Sequence, residues 1–284
     1  MNWLRSLIFN VLFLAGTGLI LIVVSPVLLM TTRHALKFVA WWSTIQAAML
    51  RVVVGLDHEV RGLENIPEGG FIIASKHQSA WDTFFFFVMF RNPAYVLKKE
   101  LLNIPVWGLY VRKCRAIVVD RDGGASAMKA LIRDTRDRLA AGRPVVIFPE
   151  GTRTAPGSGL DYHPGIAAMY AQCDVPVVPV AVNSGVFWGR RSYRKQPGTV
   201  TAEFLTPIMP GLKRREFMAR LEDAIEGAST RLVEEAWARF PATLAQAESA
   251  DPAPTAAAAD GDSPTKVEKN HPQPVGETVD KSDI

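Results

Sequence analysis

The chain contains few of the residues that stabilise small secreted domains or bind metals, since only two cysteines occur among its 284 residues. Cys114 and Cys173 supply neither a disulfide framework nor the ligand spacing of a zinc site, which is typical of a reduced compartment. Three well-marked catalytic motifs are also missing from the sequence. They are the G-x-S-x-G elbow of α/β-hydrolases, the G-x-x-x-x-G-K-[ST] phosphate loop and the H-E-x-x-H zinc helix. The sequence therefore gives no sign of serine-hydrolase, P-loop or zinc-protease chemistry.

One long stretch of the chain has no charged residue; it lies between Arg5 and Arg33. The stretch is long enough to cross a hydrocarbon core, and no convincing signal-peptide cleavage site accompanies it. A second apolar stretch, Phe38–Leu56, contains two tryptophans and one arginine. A second span, a re-entrant helix and an interfacial helix all fit that composition. We predict a membrane-anchoring helical hairpin over residues 1–56, with its topology left open.

Aromatic residues are absent after Phe240, where Ala, Pro, Asp, Thr and Ser dominate. Such a composition buries too little apolar surface to order itself, so residues 241–284 are predicted to form a disordered tail. Residues 249–284 hold seven acidic and three basic side chains, so the preceding residues carry +8 although the whole chain carries +4. The positive net charge of residues 1–248 suits an anionic partner. The basic residues are not interleaved with aromatic ones, and we therefore expect no nucleic-acid partner.

Residues 57–240 alternate between apolar β-like runs and amphipathic helical stretches. A helix is predicted over Ala125–Ala141, closed by Gly142, and a second one from the spacing of Phe217, Leu221, Ile225, Ala228 and Leu232, whose charges are taken as a solvated face. Strands are predicted at His58–Arg61, Gly70–Ser75, Ala94–Leu97, Ala116–Val119, Val145–Phe148, Val175–Val182 and Thr199–Leu205. The pattern indicates an α/β domain with a mixed, largely parallel sheet flanked by helices.

His77 and Asp82 lie between a strand-like run and a phenylalanine-rich run that is long enough for a helix. On one continuous helix their side chains would point about 140° apart. They can meet only if His77 lies in the turn and Asp82 near the helix start, with Ser79 as a candidate N-cap. The carboxylate would then orient the imidazole as a general base. A single His-x4-Asp match is a weak signal, and an isolated histidine is more often a surface or core residue.

A second polar group follows the apolar run Val145–Phe148, where Pro149 ends the predicted strand and Glu150, Gly151, Thr152 and Arg153 come next. Ligands of α/β sheets bind at the carboxyl ends of strands. Glycine allows close backbone approach, and arginine grips phosphate with its planar fork. An ordinary turn with a surface Glu–Arg pair is the competing interpretation.

Two further predicted strands are followed by basic residues. Asp120 and Arg121 come after one strand, and Lys98 and Lys99 after the other. A surface ion pair and a solvated face are the simpler interpretations of these stretches taken alone. Their common position at the end of a strand places them at the same sheet edge as His77.

The segments K-H-Q-S-A-W-D and F-P-E-G-T-R resemble the glycerolipid acyltransferase family, in particular the bacterial 1-acylglycerol-3-phosphate acyltransferases. The family motif N-H-x-x-x-x-D is matched at His77 and Asp82, with Lys76 in place of the usual asparagine. The motif F-P-E-G-T-R-S is matched from Phe148 to Arg153, with Thr154 in place of its last serine. The resemblance spans residues 60–205, with its motifs in the family order.

The remaining family motifs are matched more loosely. Arg121 fits the arginine that ends the second motif, and the lysine segment resembles Lys98-Lys99-Glu100-Leu101. The fourth motif, an apolar run with two prolines, is matched at residues 175–180. His163 stands where the family frequently has lysine.

The resemblance implies that His77 is the general base and that Asp82 holds its ring. It also implies that Arg121, Glu150, Gly151, Thr152 and Arg153 bind the acceptor, with the arginines and Lys98 facing its phosphate. The implied reaction transfers an acyl chain from acyl-CoA or acyl-carrier protein to the sn-2 hydroxyl of 1-acyl-sn-glycerol 3-phosphate, giving phosphatidic acid. No metal or bound cofactor is implied, and the catalytic domain is expected on the cytoplasmic side of the inner membrane.

Three other functions compete with this one. The same fold could acylate another lysolipid, such as a lyso-ornithine lipid. A catalytically silent, membrane-anchored lipid-binding protein could keep the fold, although binding alone would not need the base. A membrane hydrolase could use His77 to activate water and would release free fatty acid.

Overall fold

The structure, a computed structural model, describes residues 2–121 and 123–249, with side chains as far as Ala245. Seven strands lie within those residues: β1 (Leu56–Arg61), β2 (Ile72–Ser75), β3 (Ala94–Lys98), β4 (Ile117–Val119), β5 (Val145–Ile147), β6 (Val177–Val182) and β7 (Gly198–Phe204). The helices are α1 (Asn2–Val23), α2 (Thr32–Met49), α3 (Asp82–Phe90), α4 (Trp107–Lys113), α5 (Gly124–Ala140), α6 (Gly165–Cys173), α7 (Ser184–Phe187), α8 (Arg214–Arg239) and α9 (Pro241–Ser249). Each predicted strand is present, with ends shifted by at most two residues.

All seven strands join one sheet in the order β1-β7-β6-β2-β5-β3-β4. Only β6 and β7 pair antiparallel, while the other neighbours are parallel. The prediction of a mixed, largely parallel sheet is therefore confirmed. Because β2, β3, β4, β5 and β6 run in the same direction, their carboxyl ends share one edge. The residues that follow those strands form the candidate site.

Helices cover both faces of the sheet, and alternate residues of the central strands divide between two cores. Ile73 and Val146 pack with the phenylalanines of α3, whereas Ile72 and Val145 pack with α5, α6 and the first half of α8. A strand that is buried on both faces has a continuous run of apolar residues, and such runs allowed these strands to be predicted from the sequence. Gly142 ends α5 in the left-handed region, with φ of 67°, as predicted.

Helix α1 is the one helix among the described residues that is long and apolar enough to cross a membrane. One of its faces packs on the protein. Phe9 is fully buried beside Trp188, and Thr17 accepts a 3.2 Å hydrogen bond from the Trp42 indole. The other face exposes apolar side chains, among them Trp3, Leu4, Leu7, Ile8, Val11, Leu12, Leu14, Leu19, Ile22 and Val23.

The second apolar stretch folds as α2 and a π-helical turn, Leu50–Val54, that leads into β1. Trp42, Leu50 and Val54 lie in the same core cluster as α3 and the sheet. The expected boundary at residue 56 therefore does not coincide with a break in packing, because the N-terminal helices share a core with the α/β domain.

The prediction that disorder begins at residue 241 is wrong for Pro241–Ser249, which form α9. A proline at the first helical position and the alanines that follow it favour a helix there. Thr243 donates a 2.7 Å hydrogen bond to the Phe240 carbonyl, which joins α9 to the end of α8. The rest of the predicted tail lies outside the described residues.

Candidate active site

His77 and Asp82 meet as predicted at the strand-to-helix turn after β2. Nδ1 of His77 lies 2.9 Å from Oδ2 of Asp82, which is the first residue of α3. Ser79 is not the N-cap of that helix; its hydroxyl accepts a 3.2 Å hydrogen bond from the Trp81 amide within the turn. The carboxylate is 1% exposed and the imidazole 12%, so the ring lies at the mouth of the site while its partner is buried.

The partners of Asp82 fix the tautomer of His77. Oδ2 also accepts 2.8 Å hydrogen bonds from the backbone amides of Gln78 and Ser79, and Oδ1 accepts a 2.6 Å bond from the Ser184 hydroxyl. With these donors and the helix N-terminus around it, Asp82 is an acceptor-only carboxylate. Nδ1 must then carry the proton, which leaves the lone pair of Nε2 free to act as a base. The imidazole stacks on Phe148, with ring centroids 4.0 Å apart.

Glu150 is buried and its carboxylate is held by the protein. Oε2 accepts a 3.0 Å hydrogen bond from the backbone amide of His77, and Oε1 lies 2.7 Å from Lys76 Nζ and 2.9 Å from the Thr154 hydroxyl. Burial raises the pKa of Glu150, against the opposing effects of Lys76 and these hydrogen bonds. The carboxylate thus fastens the strand-end loop of β5 to the backbone of His77.

Lys76 is buried between two carboxylates from distant parts of the chain. Besides Glu150, its ammonium contacts Glu226 of α8 at 2.7 Å and the Ser158 carbonyl at 3.0 Å. Tyr162 donates a 2.8 Å hydrogen bond to Glu226 as well. The prediction that the charges of this helix form a solvated face is therefore wrong for Glu226, which reaches the buried ammonium.

A basic group lies around Gly151, the residue after Glu150. Gly151 has a φ of 64°, and its carbonyl accepts a 2.8 Å hydrogen bond from Arg121. Burial lowers the pKa of His163, and the charges of Arg121 and Lys98 lower it further, which places these cations together. Lys99 instead pairs with Asp120 at 2.7 Å on the surface.

Arg153 is half-buried and next to Thr154, whose amide donates a 2.8 Å hydrogen bond to the His77 carbonyl. Burial lowers the pKa of Arg153, and the positive charges of Arg190 and Arg191 lower it too, while Asp82 raises it. Within the described part of the chain, no hydrogen bond or ion pair engages the Arg153 guanidinium or the Thr152 hydroxyl. The strand ends thus bring all the predicted site residues to one edge of the sheet.

Comparisons with known proteins agree with this arrangement. A family profile described as Acyltransferase matches residues 57–183. The 1-acyl-sn-glycerol-3-phosphate acyltransferase of Pseudomonas aeruginosa is 37% identical over 201 residues, which cover 69% of this chain and 77% of that protein.

The chain belongs to the glycerolipid acyltransferase family.

More distant members show the same relationship. The Saccharomyces cerevisiae 1-acyl-sn-glycerol-3-phosphate acyltransferase is 29% identical over 187 residues, covering 64% of this chain and 60% of that one. The crystal structure of the 1-acyl-sn-glycerophosphate acyltransferase PlsC from Thermotoga maritima shares the fold. It superposes with a TM-score of 0.64 at 23% identity, over 81% of this chain and 95% of that chain.

Sequence reasoning missed two residues that contact the candidate site, Ser184 and Glu226. Ser184 lies directly beyond the region that the family profile matches, 102 positions from its partner Asp82. Glu226 lies 150 positions from Lys76. No local pattern connects such pairs, and the replacement of the usual asparagine by Lys76 did not by itself reveal that the lysine is buried.

We expect Ser184→Ala to lower kcat about tenfold, because Asp82 loses one charge-assisted hydrogen bond and holds His77 less firmly. KM for both substrates should change little, and steady-state kinetics would measure both. Ser229→Ala is the matched control: Ser229 is equally buried, and its hydroxyl has no hydrogen-bond partner among the described residues. Equal activity of the two variants would contradict a positioning role for Ser184.

Proposed function

We propose that this acyltransferase converts 1-acyl-sn-glycerol 3-phosphate to phosphatidic acid, using the thioester of CoA or acyl-carrier protein as the acyl donor. The observation that carries the proposal is the 2.9 Å contact between His77 Nδ1 and Asp82, which leaves Nε2 as a base at the mouth of the site. Relatives from a bacterium and a yeast are named for this reaction.

In the proposed reaction, His77 Nε2 removes the proton of the sn-2 hydroxyl while that oxygen attacks the thioester carbonyl. Asp82 stabilises the resulting imidazolium through the Nδ1 hydrogen bond. Collapse of the tetrahedral intermediate breaks the carbon–sulfur bond and expels the thiolate, which takes the proton from Nε2. The acceptor oxygen is the nucleophile, so no acyl-enzyme forms and no bound cofactor or metal is needed.

The residues that would contact the acceptor's phosphate are identified by their positive charge. Arg153 is close enough to Asp82 for their charges to interact, so it supplies a cation near the base for the acceptor's phosphate. Lys98 and Arg121 add positive charge beside Gly151. Both oxygens of Glu150 are hydrogen-bonded within the protein, which supports a role in positioning His77 rather than direct contact with the acceptor.

A small apolar cavity of about 50 Å³ lies between α2, α3, α4 and β3. Its lining includes Phe87, Tyr95, Leu97 and Cys114. Tyr95 lies against Phe148, which stacks on His77, so apolar side chains lead from the base to the cavity. An acyl chain needs an apolar path of this kind. Because the cavity has room for only a few methylene groups, we assign it to the end of one of the two chains.

We further propose that α1 lies in one leaflet at the membrane surface instead of crossing the bilayer. Its packed face follows the protein from Ser6, bonded to the Lys195 amide, to Leu21, whose carbonyl accepts a hydrogen bond from Tyr110. A helix that crossed the bilayer would have to leave these contacts, whereas an in-plane helix buries its exposed apolar face in lipid and keeps them. The lipid acceptor would then reach the site from the inner, cytoplasmic leaflet.

Cysteine labelling distinguishes the two arrangements. In a Cys173→Ser background, single cysteines at the exposed polar positions Asn2 and Thr31, on either side of α1, should react with an impermeant maleimide from the same side of sealed vesicles. Cys114 should stay silent, because burial raises its pKa to about 12. Reaction of the two sites from opposite sides would establish a span.

The reaction is tested with purified protein, labelled palmitoyl-CoA or palmitoyl-acyl-carrier protein, and an equimolar pair of lysophosphatidic acid and lyso-ornithine lipid. Labelled phosphatidic acid is the expected product. Acylation of the lyso-ornithine lipid alone would move the proposal to that acceptor. Free fatty acid without a diacyl product would indicate a hydrolase, and lipid binding without turnover a silent protein.

A further inference from the structure

Two arginines that belong to none of the family motifs follow the helical turn that contacts the catalytic pair. Ser184 bonds Asp82, and the Gly185 amide donates a 3.0 Å hydrogen bond to the Gln78 side chain. A Cβ at Gly185 would lie 2.9 Å from Gln78 and 3.0 Å from Pro156, so α7 is wedged between the His77 loop and the segment after Arg153. Arg190 and Arg191 follow within a few residues, beyond the matched region.

These arginines and Arg153 form a group with surplus positive charge. The charges of Arg190 and Arg191 act on Arg153 and lower its pKa, after the larger effect of burial. Among the side chains of residues 2–121 and 123–245, no carboxylate forms a hydrogen bond or ion pair with any of the three guanidinium groups. Asp82, the acid whose charge reaches Arg153, is already engaged by His77, Ser184 and two backbone amides. Among the described side chains the three arginines therefore have no carboxylate partner of their own, which leaves them available to an anionic ligand.

We infer that Arg190 and Arg191 join Arg153 in binding the acceptor's phosphate and make the enzyme select lysolipids whose phosphate is a doubly charged monoester. The inference rests on the proposed function and names the residues that would determine which lysolipid the enzyme accepts.

The chemistry of the acceptor favours it over the donor at this position. In lysophosphatidic acid only two carbons and one oxygen separate the sn-2 hydroxyl oxygen from phosphorus, so the phosphate must lie close to His77. The phosphates of a CoA or carrier-protein donor lie at the far end of the pantetheine arm. A phosphomonoester carries about −1.5 to −2 at neutral pH. Lysophospholipids with an alcohol headgroup are diesters with a single negative charge, and three arginines therefore favour the monoester.

The backbone at Arg191 has a left-handed φ of 57°, which is unusual for a residue other than glycine. Strained residues often cluster at ligand clamps. Alanine tolerates this conformation no better than arginine does, so Arg191→Ala removes the guanidinium without relieving the backbone strain.

The test compares the unaltered protein with the Arg190→Ala/Arg191→Ala double variant, assayed with lysophosphatidic acid and with lysophosphatidylglycerol in neutral detergent micelles. Arg194→Ala is the matched control, since Arg194 is an exposed arginine in the same loop. We expect KM for lysophosphatidic acid to rise on the order of 10- to 100-fold in the double variant, through the loss of charge-assisted bonds. The preference for lysophosphatidic acid over lysophosphatidylglycerol should fall by a similar factor, with kcat within a few-fold. Lysine at both positions should restore part of the affinity, because it keeps the charge but not the bidentate fork.

Three results would overturn the inference. A rise in KM for palmitoyl-CoA or palmitoyl-acyl-carrier protein, with KM for the acceptor unchanged, would assign the arginines to the donor. Unchanged kinetics in micelles, together with weaker binding to phosphatidylglycerol vesicles, would assign them to the membrane surface. Unchanged kinetics and vesicle binding would leave them without a role. Failure of the proposed function is a separate result, because the unaltered protein would then make no phosphatidic acid.

Discussion

We expect the His77→Ala variant to make phosphatidic acid about 10²–10⁴-fold more slowly than the unaltered protein, which is the usual contribution of a general base. Alanine removes the Nε2 lone pair that would take the hydroxyl proton. It leaves the loop backbone in place, because the amide at position 77 still donates to Glu150 and the carbonyl still accepts from Thr154. The loss should therefore fall on kcat, with KM for both substrates within a few-fold.

The measurement is initial-rate kinetics with labelled palmitoyl-CoA, with far-ultraviolet circular dichroism to show that the fold is retained. His34→Ala is a suitable control, because His34 is an exposed histidine near the start of α2. Near-normal turnover by His77→Ala would remove His77 as the base. A similar loss in His34→Ala would indicate a general effect on the protein.

The strands and the contact between His77 and Asp82 could be predicted because their signals are local. Val145, Val146 and Ile147 form a buried strand in an apolar run, and a strand buried on both faces needs no partner information to be recognised. His77 and Asp82 are five residues apart, and simple helix geometry required the turn that the structure shows.

The long-range contacts that hold these residues in place could not be predicted, because they form only in the folded chain. Ser184 and Glu226 reach the catalytic loop from elements far along the sequence. The face of α1 that docks on the protein includes Phe9, which the sequence does not distinguish from the exposed apolar residues around it. In a uniformly apolar helix, hydropathy predicts the length of the helix but not which of its faces packs against the protein.

The second large effect is expected for Lys76→Met, which should lower the free energy of unfolding by about 3–5 kcal/mol. This is the usual cost of removing one partner of a buried ion pair. The Lys76 and Glu150 side chains are 1% and 0% exposed. Without the ammonium, Glu150 is left buried opposite Glu226 with no cation between them. Lys99→Met is the matched control, since Lys99 forms a surface pair with Asp120 at 61% and 40% exposure and should contribute no more than about 1 kcal/mol.

Urea denaturation in detergent, followed by tryptophan fluorescence, would measure both variants. A Lys76→Met/Glu226→Gln double variant should be more stable than Lys76→Met alone, because one of the two facing charges is gone. Equal stability of Lys76→Met and Lys99→Met would show that the buried cluster does not stabilise the fold.

The pH dependence of the Lys76→Met deficit gives an independent check of its cause. Burial already raises the pKa of Glu150, and Lys76 is the largest influence opposing that rise. Removing the ammonium should raise the pKa of the folded carboxyl further above its unfolded value. A carboxyl whose folded pKa is raised stabilises the fold below its unfolded pKa and loses that contribution as pH rises through the folded pKa. The stability gap between Lys76→Met and the unaltered protein should therefore narrow as pH falls from neutrality towards the ordinary glutamate range. A gap that stays constant over this range would mean that lost packing of the lysine stem, and not the unpaired carboxylate, causes the deficit.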